Sequence, residues 1–296
     1  MVDYKNIFVF HPAGLGDAIL DLSTLDQLFN ASNYTGQIHY VGNIVAKPII
    51  DLSGLPIGIK KHYIKYPFDI KSIIKLLSLR NKIDCLAILG GMNLKKVSYL
   101  KYLLNPRIMI GSLTDDPIEC INKNLPKNNI YDHIEGPHEG SHRIQLNLML
   151  FRKIGINAPL SIKGLDKNLV NKIPLVYDDI INTSEEYFTI HISNNKKFKT
   201  LPQDLWIGII RILIEKYDIP IVIIGEKNEA DYSSIILESI ASNKIINLIG
   251  KTDLLQTIKI INDSNLLLSI DSGLGHIAGA LDVPLISIFG PTKISQ

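Results

Sequence analysis

The stretch that decides the fold is Asn265-Leu266-Leu267-Leu268-Ser269-Ile270-Asp271-Ser272-Gly273-Leu274-Gly275-His276-Ile277-Ala278-Gly279-Ala280. It begins with an apolar run of strand length, and Asp271, a residue type that favours a helix N-cap, follows that run. A turn of small residues then opens a helix, which Pro284 ends. Residues 285–289 predict another buried strand before Gly290-Pro291-Thr292. This part of the chain therefore predicts a strand–turn–helix–strand unit.

The turn of this unit carries the groups of an anion site. Several backbone N–H groups stay unpaired at the positive end of the helix, where a phosphate is a natural ligand. Gly273 and Gly275 allow the backbone to approach such a ligand closely, and His276 can add a donor or a positive charge. Because any turn between a strand and a helix prefers Asp, Ser and Gly, the alternative is an ordinary turn in which His276 caps or packs.

The composition is that of an ordinary folded protein. The chain has 296 residues, enough for two domains, with 46% hydrophobic and 20% charged residues. The net charge of +2 does not suggest nucleic acid as a partner. Two cysteines argue against a disulfide framework, no apolar run reaches the length of a membrane span, and the N-terminus lacks a signal-peptide layout. We therefore expect a cytoplasmic protein.

Strand and helix patterns alternate along both halves of the chain. Such alternation predicts an α/β fold in which parallel sheets are covered by helices on both faces. We expect two Rossmann-like, doubly wound domains, residues 1–170 and 171–296, with a charged linker at residues 164–179. Residues 112–141 have weak periodicity and predict a long surface loop, with room for a short helix. Two such domains facing each other would form a cleft at the carboxyl ends of their strands, where ligands bind in these folds.

The turn Gly14-Leu15-Gly16-Asp17 follows the first predicted strand. It fails as a dinucleotide-binding fingerprint, because the bulky Ile19 stands where the third small residue belongs. The turn does place the carboxylate of Asp17 at the start of a helix, whose N-terminus favours the anion and keeps it available as a base. The alternative is that Asp17 serves only as an N-cap.

Polar groups follow two of the strands predicted in the second half. Residues 191–206 carry hydroxyl, amide and ammonium groups that can grip a diphosphate, and the alternative is a solvated basic loop. Glu226 and Glu229 follow Gly225 and offer carboxylates to ribose hydroxyls, although plain surface glutamates fit the spacing equally well. The residue pattern alone leaves both alternatives open.

Residues 60–82 form a basic stretch interleaved with apolar and aromatic residues, and Asp69 is its single acidic residue. This composition suits an anionic lipid headgroup or a membrane surface, with a solvated helix face as the alternative. Its candidate contacts with an acceptor or a membrane are Lys60, Lys61 and Lys65. The histidines and glutamates of residues 133–142 do not have the spacing of a metal site, so no metal is expected.

Three motifs together resemble one known family. The block 271–280, with Pro284 and residues 289–292, resembles the C-terminal signature of the ADP-heptose:lipopolysaccharide heptosyltransferases, glycosyltransferase family 9. Gly16-Asp17-Ala18-Ile19-Leu20 is similar to the N-terminal Gly-Asp motif of that family, and residues 199–206 are similar to its Lys-x-x-Pro-x-x-x-Trp pattern. The motifs stand in the family's order and cover both halves of the chain.

The resemblance implies a GT-B architecture, in which the N-terminal domain binds the acceptor and the C-terminal domain binds the nucleotide sugar. It implies that Asp17 is the general base that deprotonates the acceptor hydroxyl. It also implies a set of donor contacts, of which Lys199 meets the phosphates, Glu229 the ribose, and Thr252 lies near the base. The full set is Ser193, Asn194, Lys199, Glu229, Thr252, Asp271, Ser272, Gly273 and His276. A hydroxyl is more usual in the family at the position of Asn194.

The implied reaction is an inverting transfer of heptose from ADP-heptose to an anionic lipopolysaccharide inner-core acceptor. Such a transfer needs one base and a group that stabilises the negative charge of the leaving diphosphate. A helix dipole, a lysine and a histidine supply the positive charge for this, so no cofactor or metal ion is expected. A lipid-linked acceptor would suit peripheral contact with the inner face of the cytoplasmic membrane. Two alternatives stay open: a transferase for another nucleotide sugar or acceptor (a protein or other glycan), and a non-catalytic nucleotide-sugar-binding protein. The second alternative reflects the C-terminus at Gln296, which is short for the family.

Overall fold

The computed structural model describes residues 3–90, 92, 94–112, 130–135, 142–177, 180–181, 185–193 and 199–290. The chain divides into two compact units with the boundary between Lys163 and Gly164. The boundary lies a few residues before the expected one at 170/171, because the segment that follows it packs on the second unit. The N–H of Leu165 donates to the carbonyl of Ala280 at 2.9 Å. Among the described residues, no helix is long and apolar enough to cross a membrane.

The first unit is built on a six-stranded sheet with the strand order β3-β2-β1-β4-β5-β6, and every pairing in it is parallel. A short 3-10 turn precedes its second helix. Its elements are β1 (Asn6–His11), α1 (Leu15–Phe29), β2 (Gln37–Asn43), α2 (Lys47–Asp51), β3 (Lys60–Ile64), α3 (Ile70–Leu77), β4 (Cys85–Ile88), α4 (Leu94–Leu104), β5 (Ile108–Ser112), β6 (His133–Glu135) and α5 (Arg143–Arg152).

Strand β1 lies at the centre of this sheet and is buried on both faces. Phe8 and Phe10 pack on one face with Leu76 of α3 and Leu100 of α4. Because side chains alternate along a strand, Ile7 and Val9 point to the opposite face, and both are fully buried as well. The apolar run that predicted this strand therefore reflects burial on two sides. Cys85, the first residue of β4, is also fully buried.

The strand β6 was not expected, because it lies within the segment that the sequence predicts as loop. Its three residues pair with β5 and place Glu135 beside Lys153, with 2.9 Å between Oε2 and Nζ. Such a short edge strand carries too little periodicity to be recognised from the sequence. Most of the expected loop, residues 113–129 and 136–141, lies outside the described residues.

The second unit contains a five-stranded parallel sheet with the order β11-β10-β7-β8-β9. Trp206 and Ile210 are fully buried in its core together with Ile190 and Ile223 of the sheet. Its elements are α6 (Lys167–Asn171), β7 (Phe188–His191), α7 (Gln203–Tyr217), β8 (Ile221–Ile224), α8 (Ala230–Ile240), β9 (Ile245–Asn247), α9 (Leu254–Asp263), β10 (Leu266–Ile270), α10 (Gly273–Ala280) and β11 (Leu285–Ile288).

The strand order of the second sheet reverses at β7, whose neighbours are β8 on one side and β10 on the other. In an open parallel sheet, this reversal opens a crevice at the carboxyl ends of the two diverging strands, and ligands bind there. A ligand site is therefore expected among the residues that follow β7, β8 and β10. The predicted α/β fold with two Rossmann-like parallel sheets is confirmed.

Candidate functional site

The turn between β10 and α10 has the geometry of an anion site, with one correction to the expected cap. Ser272 is the N-cap of α10, and its Oγ accepts a hydrogen bond from the N–H of Leu274 at 3.3 Å. The expectation that Asp271 caps the helix is wrong by one residue, since Ser and Asp are both good caps and only the backbone conformation distinguishes them. The helix begins at Gly273, so its first N–H groups and the positive end of its dipole lie at this turn.

Asp271 instead pairs with Lys199, one of the other residues predicted to contact the donor. The Nζ of Lys199 donates to Oδ2 of Asp271, and both side chains are mostly shielded from solvent. This ion pair brings the ammonium group to the start of α10 from a loop 72 residues earlier in the chain. The pairing holds an ammonium donor beside the N–H groups that open α10, and the carboxylate of Asp271 balances its charge until a diphosphate competes for it.

His191 ends β7 and contacts residues at the carboxyl ends of β8 and β10. It was not predicted as a site residue. Its Nδ1 lies 3.0 Å from Oγ of Ser272 and 3.4 Å from Oγ of Ser269, while its Nε2 lies 3.4 Å from Oε2 of Glu229. His191, Ser269 and Glu229 are all buried. It is the last residue of the strand at which the sheet order reverses, and because the sequence pattern does not determine that order, no signal in the sequence alone points to it.

Glu229 is a buried carboxylate held at the end of β8, so it is not a plain surface glutamate. A short 3-10 turn, Lys227–Glu229, directs it back towards the sheet. A Cβ on Gly225 would lie 2.3 Å from Oε2 of Glu229, so the carboxylate occupies space that only a glycine leaves free. Among the described residues, Oε2 makes no hydrogen bond, and it retains capacity to accept one from a ligand hydroxyl. The neighbouring Glu226 is exposed.

The structure describes three further residues that were predicted to contact the donor: Ser193, Thr252 and His276. Ser193 follows β7 and is buried, with no hydrogen-bond partner for its Oγ in the described part of the chain. Thr252 precedes α9, and its Oγ1 lies 2.9 Å from Oγ1 of Thr257. His276 is exposed on α10. Asn194 lies outside the described residues.

Asp17 of the first unit lies in the first turn of α1, where the position of the N-cap belongs to Gly14. The alternative that Asp17 serves only as an N-cap is therefore wrong. Its side chain is 38% exposed, and its Oδ1 accepts a hydrogen bond from Nη1 of Arg143 at 2.5 Å. Arg143 is the first residue of α5, so the packing of α5 against α1 delivers a guanidinium to this carboxylate. The ion pair orients Asp17 while leaving it accessible to solvent.

A buried polar network supports the turn that carries Asp17. The Nδ1 of His11, the last residue of β1, lies 2.8 and 2.9 Å from the two carboxylate oxygens of Asp21, and the hydroxyl of Tyr40 donates to Asp21 at 3.1 Å. Burial raises the pKa of Asp21, and the adjacent His11 opposes that rise. Gly90 has φ +70°, and a Cβ there would lie 2.1 Å from Nε2 of His11. The network fixes β1 to the first two turns of α1.

Lys60, Lys61 and Lys65 lie on β3 and directly after it, at the edge of the first sheet. The Nζ of Lys61 donates to the carbonyl of Ile50 at 3.5 Å, while Lys60 and Lys65 are exposed. Within the described ranges, no group of three or more His, Cys, Asp or Glu side chains is arranged to hold a metal ion.

The fold and this cluster define a class of protein: α/β chains with two Rossmann-like parallel sheets, one of which has a helix N-terminus at its strand-order reversal. Comparison with known families makes the assignment specific. Residues 130–296 match the family described as "Glycosyltransferase family 9 (heptosyltransferase)", and these residues are more than half of the chain. The chain belongs to this family, which confirms the resemblance seen in the motifs.

Two curated relatives match over shorter stretches. The lipooligosaccharide heptosyltransferase 2 of Haemophilus ducreyi is 37% identical over 102 residues, which are 33% of this chain and 29% of that protein. The protein of the same name from Haemophilus influenzae is 45% identical over 48 residues, 16% of this chain and 14% of that protein. The alignments thus span less than a third of either relative's own length.

Solved structures match nearly the whole chain. A glycosyl transferase family 9 protein from Veillonella parvula has a TM-score of 0.76 at 17% identity, over 99% of this chain and 83% of its own. The E. coli heptosyltransferase WaaC with ADP has a TM-score of 0.70 at 17% identity, over 98% and 89%. The E. coli ADP-heptose lps heptosyltransferase II has a TM-score of 0.71 at 16% identity, over 97% and 86%. At these identities the likeness establishes the fold class, which is GT-B.

Proposed function

We propose that this protein is an inverting glycosyltransferase that transfers heptose from ADP-heptose to a lipopolysaccharide inner-core acceptor in the cytoplasm. The observation that carries the proposal is the cluster at the carboxyl ends of β7, β8 and β10 in a chain of this family. There Lys199, the Ser272 cap and the start of α10 supply donors for a diphosphate. The buried carboxylate of Glu229 lies close by in the same cluster, where it can bind ribose hydroxyls.

In the proposed reaction, Asp17 takes the proton of the acceptor hydroxyl as its oxygen attacks the anomeric carbon. The bond from that carbon to the diphosphate oxygen breaks on the opposite face, and the nucleoside diphosphate leaves with the bonding electrons. Lys199 and the N–H groups that open α10 stabilise the charge that develops on the leaving group. Arg143 holds the carboxylate of Asp17 in one orientation through the 2.5 Å hydrogen bond. Because Lys199 and the start of α10 supply positive charge at the leaving group, the proposal requires no metal ion.

The catalytic part of the proposal is tested by Asp17→Asn. This variant keeps the shape of the side chain and removes its basicity, so transfer should fall by about 10²-fold or more while donor affinity stays the same. A matched control is Glu215→Gln, which changes an exposed carboxylate near the C-terminal end of α7 and should transfer at the wild-type rate. Near-normal turnover by Asp17→Asn would overturn the assignment of the base.

The donor is tested separately by thermal unfolding with a panel of nucleotide sugars. A ligand that binds only the native state adds about 2.7 kcal/mol at one hundred times its Kd, which raises the melting temperature measurably. We expect a shift with ADP-heptose and ADP, and none with UDP- or GDP-sugars. A shift with a UDP-sugar alone would contradict the ADP-heptose proposal and leave the family assignment intact.

A further inference from the structure

Helix α3 exposes an apolar stripe. Four of its eight residues are large aliphatic side chains in contact with solvent: Ile70 is 77% exposed, Ile74 61%, Leu77 44% and Ile73 39%. Their spacing of i, i+3, i+4 and i+7 places them on one side of the helix, over an arc of roughly 100°. A stripe with this spacing normally faces a protein core.

The core side of α3 is a different one. Leu76 is fully buried and packs with Leu100 of α4 and Met109 of β5, and Ser72 is buried on the same side. The exposed stripe is therefore additional to the apolar surface that holds the helix on its sheet. Large apolar side chains grouped on a surface in this way mark a site of interaction.

The surroundings of the stripe are strongly cationic. Asp69 is the single acidic residue of segment 60–82, and its carboxylate is engaged as the N-cap of α3, accepting from the N–H of Ser72 at 2.8 Å. Within the described part of the chain, none of the cationic residues of this segment forms an ion pair with a carboxylate. They are Lys60, Lys61, Lys65, Lys71, Lys75, Arg80 and Lys82.

Lys71 and Lys75 lie one turn apart on α3, beside the apolar stripe, and both are exposed. The Nζ of Lys75 donates to the carbonyl of Tyr63 at 3.0 Å, and neither lysine has a carboxylate partner in the described part of the chain. Apolar side chains next to lysines whose charge no carboxylate balances match an anionic bilayer surface, in which acyl chains meet phosphate groups. A second copy of this chain would present the same positive charges and be repelled. We propose that α3 is the element through which this protein lies on an anionic lipid bilayer, with its aliphatic stripe at the boundary between headgroups and acyl chains.

A helix of eight residues is about 12 Å long, so neither its apolar area nor its charge alone gives strong binding. The contact is therefore reversible and needs both contributions. The proposal is independent of sugar transfer, because α3 contributes no residue to the proposed base or donor contacts.

The test is co-sedimentation of the full chain with vesicles of phosphatidylcholine, with and without 30 mol% phosphatidylglycerol, as about a third anionic lipid provides the surface potential. We expect binding to the anionic vesicles only. Lys71→Gln with Lys75→Gln should weaken binding about 30-fold at low salt, about fivefold for each lysine. Ile70→Ser with Ile74→Ser should also weaken it at low salt, by about tenfold or more. Since the contact needs charge as well as apolar area, 0.5 M salt, roughly where charge interactions are screened, should release the wild type from the vesicles.

Matched controls come from α7, where Ile212 is 60% exposed and Lys216 is exposed as well. Ile212→Ser and Lys216→Gln should bind vesicles like the wild type. All variants change exposed side chains, so equal melting temperatures will show that they fold. Absence of wild-type binding to anionic vesicles, or equal losses in the α7 controls, would overturn the proposal. A concentration-dependent dimer that the α3 variants abolish would also overturn it. Each of these results leaves donor binding and transfer to a soluble acceptor unaffected, so the two proposals fail separately.

Discussion

Acidification from pH 7 to pH 5 will destabilise the first unit through the stacked imidazoles of His39 and His62. The Nδ1 of His39 lies 3.0 Å from Nε2 of His62, and the ring of Phe8 stacks on His39 with 4.0 Å between centroids. His39 is 8% exposed, and its Nε2 has no hydrogen-bond partner in the described part of the chain. Burial, with a smaller contribution from the nearby His62 and Lys60, lowers the pKa of His39 from 6.5 to about 4.

The size of the effect follows from this difference in pKa. Between pH 6.5 and pH 4, the unfolded chain binds a proton at His39 that the native state does not bind, so stability is complete above this window and falls within it. At about 1.4 kcal/mol per pKa unit, the native state loses about 2 kcal/mol between pH 7 and pH 5. Because His39 keeps some contact with solvent, at 8% exposure, we reduce the expected loss to about 1–2 kcal/mol.

The assay is urea unfolding of the wild type and of His39→Asn at both pH values. Asparagine keeps a polar atom near the position of Nδ1 and does not titrate, so the free energy of unfolding of the variant should depend less on pH, by about 1–2 kcal/mol. His133→Asn changes an exposed histidine on β6 and serves as the control. Parallel pH dependence in the wild type and His39→Asn would refute the reasoning.

Three further substitutions probe the cluster at the strand ends of the second unit and the Asp17 carboxylate of the first unit. Gly225→Ala would place a methyl group 2.3 Å from Oε2 of Glu229, so ADP affinity measured by calorimetry should fall about tenfold. Unchanged affinity would contradict the proposal that Glu229 binds the ribose. Ser272→Ala removes the cap of α10 and should lower the free energy of unfolding by about 1 kcal/mol in urea, whereas an unchanged midpoint would mean that another group caps the helix. Arg143→Met frees the carboxylate of Asp17, so kcat should fall about tenfold or more with donor affinity unchanged. A loss of donor affinity instead would contradict the role of Arg143.

The fold was predictable because the patterns that encode it are local. The apolar run of β10 and the small residues that follow it specify a strand, a turn and a helix without reference to any other part of the chain. In the same way, Pro202 and the amphipathic residues after it specify the start and the course of helix α7. The three-residue strand β6 was missed, because its pairing with β5 stabilises it and its own sequence does not.

The candidate site was predictable only in part, because its contacts are between distant residues. Asp17 and Lys199 were identified from motifs, yet their partners come from 126 and 72 residues away along the chain. The contacts of His191 with Ser272 and Glu229 depend on the strand order of the second sheet, which the alternation of strands and helices leaves undetermined. Residue types therefore indicated the chemistry, and the topology determined which of them meet.

The thiol at the start of β4 gives the first unit an internal reporter of its own opening. Cys85 is fully buried, and burial raises the pKa of its thiol, so in the native state it is shielded and protonated. An alkylating reagent will modify it only during excursions that expose the middle of the sheet. In a variant with Cys120 replaced by serine, the rate of alkylation would time those excursions, and a change in that rate on adding an acceptor analogue would reveal ligand binding to this unit without any transfer taking place.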